Sequence, residues 1–133
     1  MANVRLLHAT LIVDDYDKAI QFYTEKLKFK LIEDTILSDT KRWVLVSPGE
    51  SSANLLLAKA ANEEQRTRIG NQTGGRVFLF LQTNNFNEYL NNLKKEGVTI
   101  VREPSVESYG TVAVFADLYG NLWDLIEPVN GVA

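Results

Sequence analysis

Hydrophobic and polar residues follow the same order twice along this chain. A β-rich stretch at residues 4–13 leads into apolar residues spaced three or four apart, and residues 75–83 do the same. The spaced residues are Ala19, Phe22, Tyr23 and Leu27 in the first half, and Phe86, Tyr89, Leu90 and Leu93 in the second. Such spacing predicts a helix with one buried face after each strand.

Capping residues support both predicted helices. Asp14 or Asp15 can cap the first helix, over residues 15–27, and Asn84 or Asn85 can cap the second. Gly97 is placed to end the second helix in a left-handed conformation. Alternating apolar positions then predict three strands after each helix, at 29–36, 41–46 and 54–59, and again at 98–102, 110–115 and 122–126.

The chain therefore reads as an internal repeat of strand, helix and three strands. We predict module 1 at about residues 1–60, a polar linker at about 61–73 and module 2 at about 74–133, together one domain of 133 residues. An offset of 68 residues places His8 on Arg76 and Leu57 on Leu125. The predicted fold class is α+β, with two tandem βαβββ modules whose curved mixed sheet encloses a cup.

Composition and charge narrow the possible chemistry. The chain has no cysteine, which excludes thiol chemistry and zinc–thiolate sites, and a single histidine, His8. The formal net charge of −3 gives no basic face for nucleic acid. No apolar run reaches the roughly 18 residues of a membrane span, and the amino terminus lacks the pattern of a secretion signal. We expect a cytoplasmic protein with no nucleic-acid or membrane partner.

Three segments resemble the vicinal oxygen chelate superfamily, which includes glyoxalase I, bleomycin-resistance proteins, fosfomycin-resistance enzymes and extradiol dioxygenases. The segments are Leu6-Leu7-His8-Ala9-Thr10-Leu11, Gly74-Gly75-Arg76-Val77-Phe78-Leu79 and Asp117-Leu118-Tyr119-Gly120-Asn121-Leu122-Trp123-Asp124. The resemblance covers nearly the whole chain and implies a small-molecule ligand held in the cup. It also implies a homodimer.

Members of this superfamily commonly hold a divalent metal through four ligands, and the resemblance puts these positions at His8, Leu56, Arg76 and Asp124. Leucine cannot ligate a metal, and arginine carries a permanent positive charge that repels one. The ligand set therefore disfavours a divalent metal, and we expect no cofactor. Ordinary glyoxalase I activity is disfavoured for the same reason.

Two residues are candidates for acid–base catalysis. His8 is either a substrate contact or general base, or a histidine that only makes hydrogen bonds in the fold. Asp124 is the second candidate. Arg76 either grips an anionic oxygen of a substrate or forms an ion pair with Asp124. Gln72, Tyr109 and Trp43 are candidates for lining the cup and contacting substrate, although aromatic residues in strands more often belong to the core.

Two functions remain open on these grounds. The protein either acts on a small oxygen-rich or anionic molecule as a glyoxalase-like lyase, isomerase or transferase, or binds such a molecule without turning it over. The loss of metal ligands shifts weight toward binding or toward catalysis without a metal.

Overall fold

The computed structural model describes residues 1–130, which divide into two compact units at Ile69 and Gly70. Each unit contains its own four-stranded mixed sheet and one longer helical segment. This confirms the predicted α+β class with two βαβββ modules. No helix within residues 1–130 is long and apolar enough to cross a membrane.

The first unit follows the predicted order of elements. Its elements are β1 (His8–Val13), α1 (Tyr16–Gln21) with a following π-helical turn (Phe22–Lys26), β2 (Lys30–Ile36), β3 (Arg42–Ser47) and β4 (Asn54–Lys59). The strand order is β1-β4-β3-β2, with β1 parallel to β4 and the other pairs antiparallel. A short helix, α2 (Glu63–Arg66), follows in the segment predicted as a linker.

The second unit repeats this topology. Its elements are β5 (Val77–Gln82), α3 (Phe86–Lys95), β6 (Ile100–Glu107), β7 (Gly110–Ala116) and β8 (Leu122–Pro128), in the strand order β5-β8-β7-β6. The strand predicted at 98–102 is longer and later than expected, because β-bulges on both sides of Arg102 carry the pairing with β7 on to Glu107.

The capping predictions resolve to the second residue of each pair. Asp15 caps α1 by accepting a hydrogen bond from the Lys18 backbone N–H, and Asn85 caps α3 in the same way from Glu88. The Asp15 carboxylate has a lowered pKa, chiefly because of that backbone hydrogen bond. The two caps are 70 positions apart rather than 68.

The first helical segment is one residue longer than its counterpart. The helices end at matching left-handed residues, Lys28 with φ 63° and Gly97 with φ 77°, which are 69 positions apart. The offset falls from 70 positions at the caps to 69 at the helix ends, because the π-helical turn of the first unit accommodates one extra residue. The offset between the two units around the helices therefore differs from the predicted 68 positions.

Each unit packs its helix against its own sheet. In both units the strands contribute fully buried leucines to this core, including Leu57 on β4 and Leu125 on β8, each with 0% exposure. These two residues are 68 positions apart, so the predicted offset is confirmed for β4 and β8.

Candidate functional site

Helix contacts establish which sheet face each residue of the second unit occupies. Glu127 Oε1 accepts a hydrogen bond of 2.7 Å from the Phe86 backbone N–H, so Glu127 lies on the face that carries α3. Leu125 and Trp123, two and four residues earlier, are buried on that face. Asp124 therefore points to the opposite face, which we call the open face of the unit.

The same alternation applies in the first unit. Leu11, Val13, Leu55 and Leu57 are buried toward the helix. His8 and Thr10 on β1, and Leu56 on β4, are out of phase with them and lie on the open face. The predicted positions His8, Leu56 and Asp124 thus all belong to open faces.

The structure brings His8 and Trp43 together. The ring centroids are 6.2 Å apart at an interplanar angle of 67°, an edge-to-face contact within the first unit. His8 Nδ1 is buried and has no hydrogen-bond partner. A buried polar atom without a partner costs free energy, so this nitrogen is a natural point for a ligand hydrogen bond.

Asp124 shows the same feature in the second unit. Its Oδ1 atom is buried without a hydrogen-bond partner, and burial raises the pKa of the carboxyl group, while the positive charge of Arg102 opposes that rise. Among residues 1–130, His8 Nδ1 and Asp124 Oδ1 are the buried side-chain nitrogen and oxygen atoms left unsatisfied.

Arg76 lies just outside β5, and its role in gripping an anionic oxygen stays a prediction. It precedes the first residue of β5, its side chain is exposed, and its carbonyl oxygen accepts a hydrogen bond of 2.5 Å from Thr73 Oγ1. The alternative of an Arg76–Asp124 ion pair is wrong, because Asp124 Oδ1 has no partner and Arg102 supplies the nearby charge.

Strand register also separates Arg76 from His8. Thr10 lies opposite Leu56, and Phe80 lies opposite the matching Asp124, so the first strands of the two units are related by 70 positions. A bulge puts Val77 and Phe78 together opposite Leu122, where the first unit has His8 opposite Asn54. The counterpart of His8 is therefore an apolar residue of this bulge, and the 68-position match with Arg76 is wrong.

The other two predicted contacts of the second unit lie in loops. The Gln72 backbone N–H is 3.5 Å from Asn121 Oδ1, which ties the segment before β5 to the turn before β8. In that turn the Asp117 carboxylate accepts hydrogen bonds from the backbone and the side chain of Asn121. Tyr109 is 55% exposed in the turn between β6 and β7.

The residues at the four superfamily metal positions do not fit a four-ligand divalent site. With the corrected register, these positions hold one imidazole, one carboxylate and two apolar positions: His8, Asp124, Leu56 and the Val77–Phe78 bulge. Divalent ions in such sites need donor atoms from most of these positions. Over residues 1–130, no three side chains of the His, Cys, Asp or Glu type gather into a metal-binding group.

A cleft of about 440 Å³ in the first unit lies beside Arg42, away from the predicted contacts. Arg42 donates two hydrogen bonds to Asp34, 3.0 and 2.7 Å long, forms an ion pair with Asp17 at 3.0 Å, and stacks over the Tyr16 ring. Two carboxylates thus neutralise the arginine, and the cluster has the character of a structural support rather than an anion site.

Sequence reasoning missed two residues that lie in register with Asp124. Phe80 pairs with Asp124, Asp124 with Val114, and Val114 with Arg102, so these residues form one row across all four strands. Phe80 is 70% exposed although it is a large apolar residue in the middle of a strand. Alternation along a regular strand could have placed Phe80 on the open face. The bulge in β5 interrupts that alternation, so the sequence alone does not show which face Phe80 occupies.

Comparison with a family model extends these findings. The model of the Glyoxalase/Bleomycin resistance protein/Dioxygenase superfamily matches residues 5–125. An uncharacterized protein of Shewanella frigidimarina is 56% identical over 124 residues, which is 92% of both chains.

Two solved structures share the fold over nearly the whole chain. UcmS2 is 34% identical with a TM-score of 0.81, over 94% of this chain and 98% of that one. TnmS3, an antibiotic binding protein from Streptomyces sp. CB03234, is 26% identical with a TM-score of 0.77, over 96% of this chain and 98% of that one.

Proposed function

The chain belongs to the Glyoxalase/Bleomycin resistance protein/Dioxygenase superfamily, and from that premise we propose that it binds a small oxygen-rich or anionic organic molecule without the usual metal. The observation that carries this proposal is the pair of unsatisfied buried atoms, His8 Nδ1 and Asp124 Oδ1, both on open faces. Native proteins seldom leave such atoms unpaired unless a ligand or water pairs with them.

The pairing chemistry indicates the kind of ligand. A carboxylate oxygen accepts hydrogen bonds, and a neutral imidazole nitrogen either donates or accepts one. Hydroxyl and carboxyl groups on a small organic molecule supply both kinds of partner. The likeness to TnmS3, itself an antibiotic binding protein, supports a binding role over catalysis.

A catalytic role is the second candidate, and one observation favours it. His8 is the only histidine of the chain, its Nδ1 atom is unpaired, and histidine is the side chain that most often transfers protons in enzymes. In that case His8 and Asp124 act as the acid–base groups. Loss of turnover with retained binding in a His8→Gln variant would distinguish catalysis from binding alone.

Tryptophan fluorescence tests the binding proposal. Trp43 contacts His8 on an open face, whereas Trp123 is buried in the core of the second unit, and these are the two tryptophans of the chain. We expect a ligand at His8 to quench or shift the Trp43 emission. A panel of aliphatic hydroxy acids, phenolic acids, quinones and bleomycin supplies the probes.

Two matched variants assign the signal. The response should persist in Trp123→Phe, which keeps Trp43 as the reporter, and disappear in Trp43→Phe. If no member of the panel changes the fluorescence or the melting temperature of the wild-type protein, the binding proposal is wrong.

We also propose that the protein works as a homodimer. The edge strands β2 and β6 expose apolar side chains, including Ile32 at 48%, Ile36 at 76% and Val106 at 83% exposure. Exposed apolar edge strands favour pairing with another chain, and a second copy offers the same surface. Sedimentation equilibrium should give twice the 15.0 kDa chain mass, and a monomer at micromolar concentration would contradict the proposal.

A further inference from the structure

The row Phe80–Asp124–Val114–Arg102 crosses the second unit from one edge strand to the other. Residues directly opposite one another in a sheet point to the same face, so all four side chains belong to the open face. Neighbouring strands lie about 4.8 Å apart, which makes the row about 14 Å long between the Cα atoms of Phe80 and Arg102.

The three functional side chains of this row offer different kinds of contact. Phe80 presents an aromatic ring at 70% exposure, Asp124 presents an unsatisfied oxygen, and Arg102 presents an exposed guanidinium. Arg102 and Asp124 pair with Val114 from the two sides of β7, so their Cα atoms lie about 10 Å apart on this face.

The first unit provides an internal comparison. Its matching row is Thr10–Leu56–Leu45–Glu33, where Thr10 pairs with Leu56, Leu56 with Leu45, and Leu45 with Glu33. The first row has no aromatic ring and no guanidinium, and its one carboxylate, on Glu33, lies at the position of Arg102 rather than of Asp124. The repeated fold does not require Phe80, Asp124 or Arg102, since the first unit forms the same sheet with other side chains.

We propose that Phe80, Asp124 and Arg102 form a binding row for a planar aromatic ligand that carries a hydroxyl group and an anionic oxygen. The ligand ring stacks on Phe80, its hydroxyl donates to Asp124 Oδ1, and its anionic group pairs with Arg102. This inference deepens the proposed binding function and rests on it.

Each proposed ligand contact is matched to a property of one side chain in the row. An exposed phenylalanine in the middle of a strand gains burial from a stacked ring, and the unsatisfied carboxylate oxygen gains a donor. Arg102 forms none of the ion pairs among residues 1–130, so its planar guanidinium is open to a carboxylate of the ligand.

Small matched probes test this row by isothermal titration calorimetry or ligand-observed NMR. 3-Hydroxybenzoate carries the ring, the hydroxyl and the anion, and we expect a Kd on the order of 1 mM for a ligand of this size. Benzoate lacks the donor and should bind at least about ten-fold more weakly, because a hydrogen bond to a charged group is stronger than one between neutral groups. 3-Hydroxycyclohexanecarboxylate lacks the planar ring and should also bind more weakly.

Each contact can be tested by a substitution in the second unit. Two of the substitutions introduce the residue found at the matching position of the first unit, where the same sheet accommodates it. Asp124→Leu and Arg102→Glu introduce the residue types of Leu56 and Glu33, and each should weaken 3-hydroxybenzoate binding about ten-fold or more. Phe80→Leu keeps an apolar residue without the ring and should weaken binding about three-fold. Glu33→Ala, at the position matching Arg102, is the control and should bind as the wild type does.

Failure of this row is distinguishable from failure of the proposed function. A ligand as small as 3-hydroxybenzoate is expected to bind weakly, so the highest concentration tested is about 10 mM. If the wild-type protein does not bind it at that concentration, the proposed binding row is wrong. Unchanged affinity in Asp124→Leu and Arg102→Glu would also overturn it. The Trp43 response to the wider panel, which reports on the first unit, decides the binding function separately.

Discussion

The two units build the same sheet around the same kind of core, yet their open faces carry different chemistry. Leu57 and Leu125 occupy matching buried positions, and Asp15 and Asn85 cap matching helices. On the open face, Leu56 in the first unit stands where Asp124 stands in the second. The helix side of each sheet is apolar in both units, and the two units differ on the open face.

The two units differ in which of their residues the common fold requires. A residue type found at matching positions of both units serves the common fold. A polar residue found in one unit alone, and left without a partner, needs another explanation. Asp124 meets this second description, and so does His8, whose counterpart is the apolar Val77–Phe78 bulge.

The largest expected effect comes from the matched core leucines. Leu57→Ala and Leu125→Ala each remove a fully buried side chain, and each should lower the free energy of unfolding by about 3 kcal/mol, within the range of about 2–5 kcal/mol for such changes. Urea unfolding measures both. Leu56→Ala, on the partly exposed open face, is the control and should cost less. If the losses of unfolding free energy in Leu57→Ala and Leu125→Ala differ by more than about 2 kcal/mol, the two cores are not equivalent.

A smaller effect should distinguish the units at Arg42. The arginine is held by Asp34 and Asp17 and lies 5.1 Å over the Tyr16 ring centroid, whereas its counterpart on β7 is Thr111. Arg42→Ala should cost about 2 kcal/mol at neutral pH, since hydrogen bonds to charged groups contribute about 1.5–3 kcal/mol each and partial exposure screens the pairs. Thr111→Ala should stay within about 0.5 kcal/mol.

The cost of losing Arg42 should depend on pH in one direction. Arg42 lowers the pKa of Asp34, chiefly through the side-chain hydrogen bonds, so the carboxylate is more acidic in the folded state than in the unfolded chain. Its contribution is therefore present above the ordinary pKa of 3.8 and is lost as the pH falls through the lowered folded pKa. Thermal unfolding of wild type and Arg42→Ala should converge in acid, and an equal difference at all pH values would contradict this account.

The smallest effect concerns the residues that end the two helices. Lys28 has a left-handed φ of 63°, and Gly97 has a φ of 77° at the matching place. Glycine adopts this conformation more easily than other residues, by about 1 kcal/mol. Lys28→Gly should therefore be more stable than Lys28→Ala by about that amount, and Gly97→Ala should be less stable than the wild type.

The space around Gly97 makes the Gly97→Ala substitution a test of backbone conformation. A Cβ atom at Gly97 would have no other heavy atom within 4 Å, so the cost of Gly97→Ala measures the backbone alone. Lys28→Gly and Lys28→Ala both lack the charged lysine side chain, so its loss cancels when the stabilities of the two variants are compared. Equal stability of Lys28→Gly and Lys28→Ala in chemical denaturation would contradict the backbone argument.

The elements and their order could be read from the sequence because local patterns specify them. Apolar spacing predicted both helices, and the strand predicted at residues 54–59 has the bounds of β4. Capping chemistry restricted the helix starts to two residues each. Composition alone removed thiol and zinc–thiolate chemistry, since the chain has no cysteine.

The pairing of positions between the units required the three-dimensional structure. A fixed offset of 68 residues assumes that no residue is added or removed within the repeat, whereas the π-helical turn adds one and the β5 bulge changes the register of another. Each irregularity accommodates one extra residue, and residue patterns do not show where in the element that residue is placed. The match of His8 with Arg76 was wrong for this reason.

By itself, then, the sequence determined the repeated βαβββ order, the apolar cores and the residue types available for chemistry, because these depend on composition and on neighbours within a few positions. Tertiary structure alone decided which side chains share a face. It placed Trp43 beside His8, moved Arg76 out of the strand, and aligned Phe80 and Arg102 with Asp124. Those relations depend on hydrogen-bond register between strands far apart in the chain, and one inserted residue changes them all.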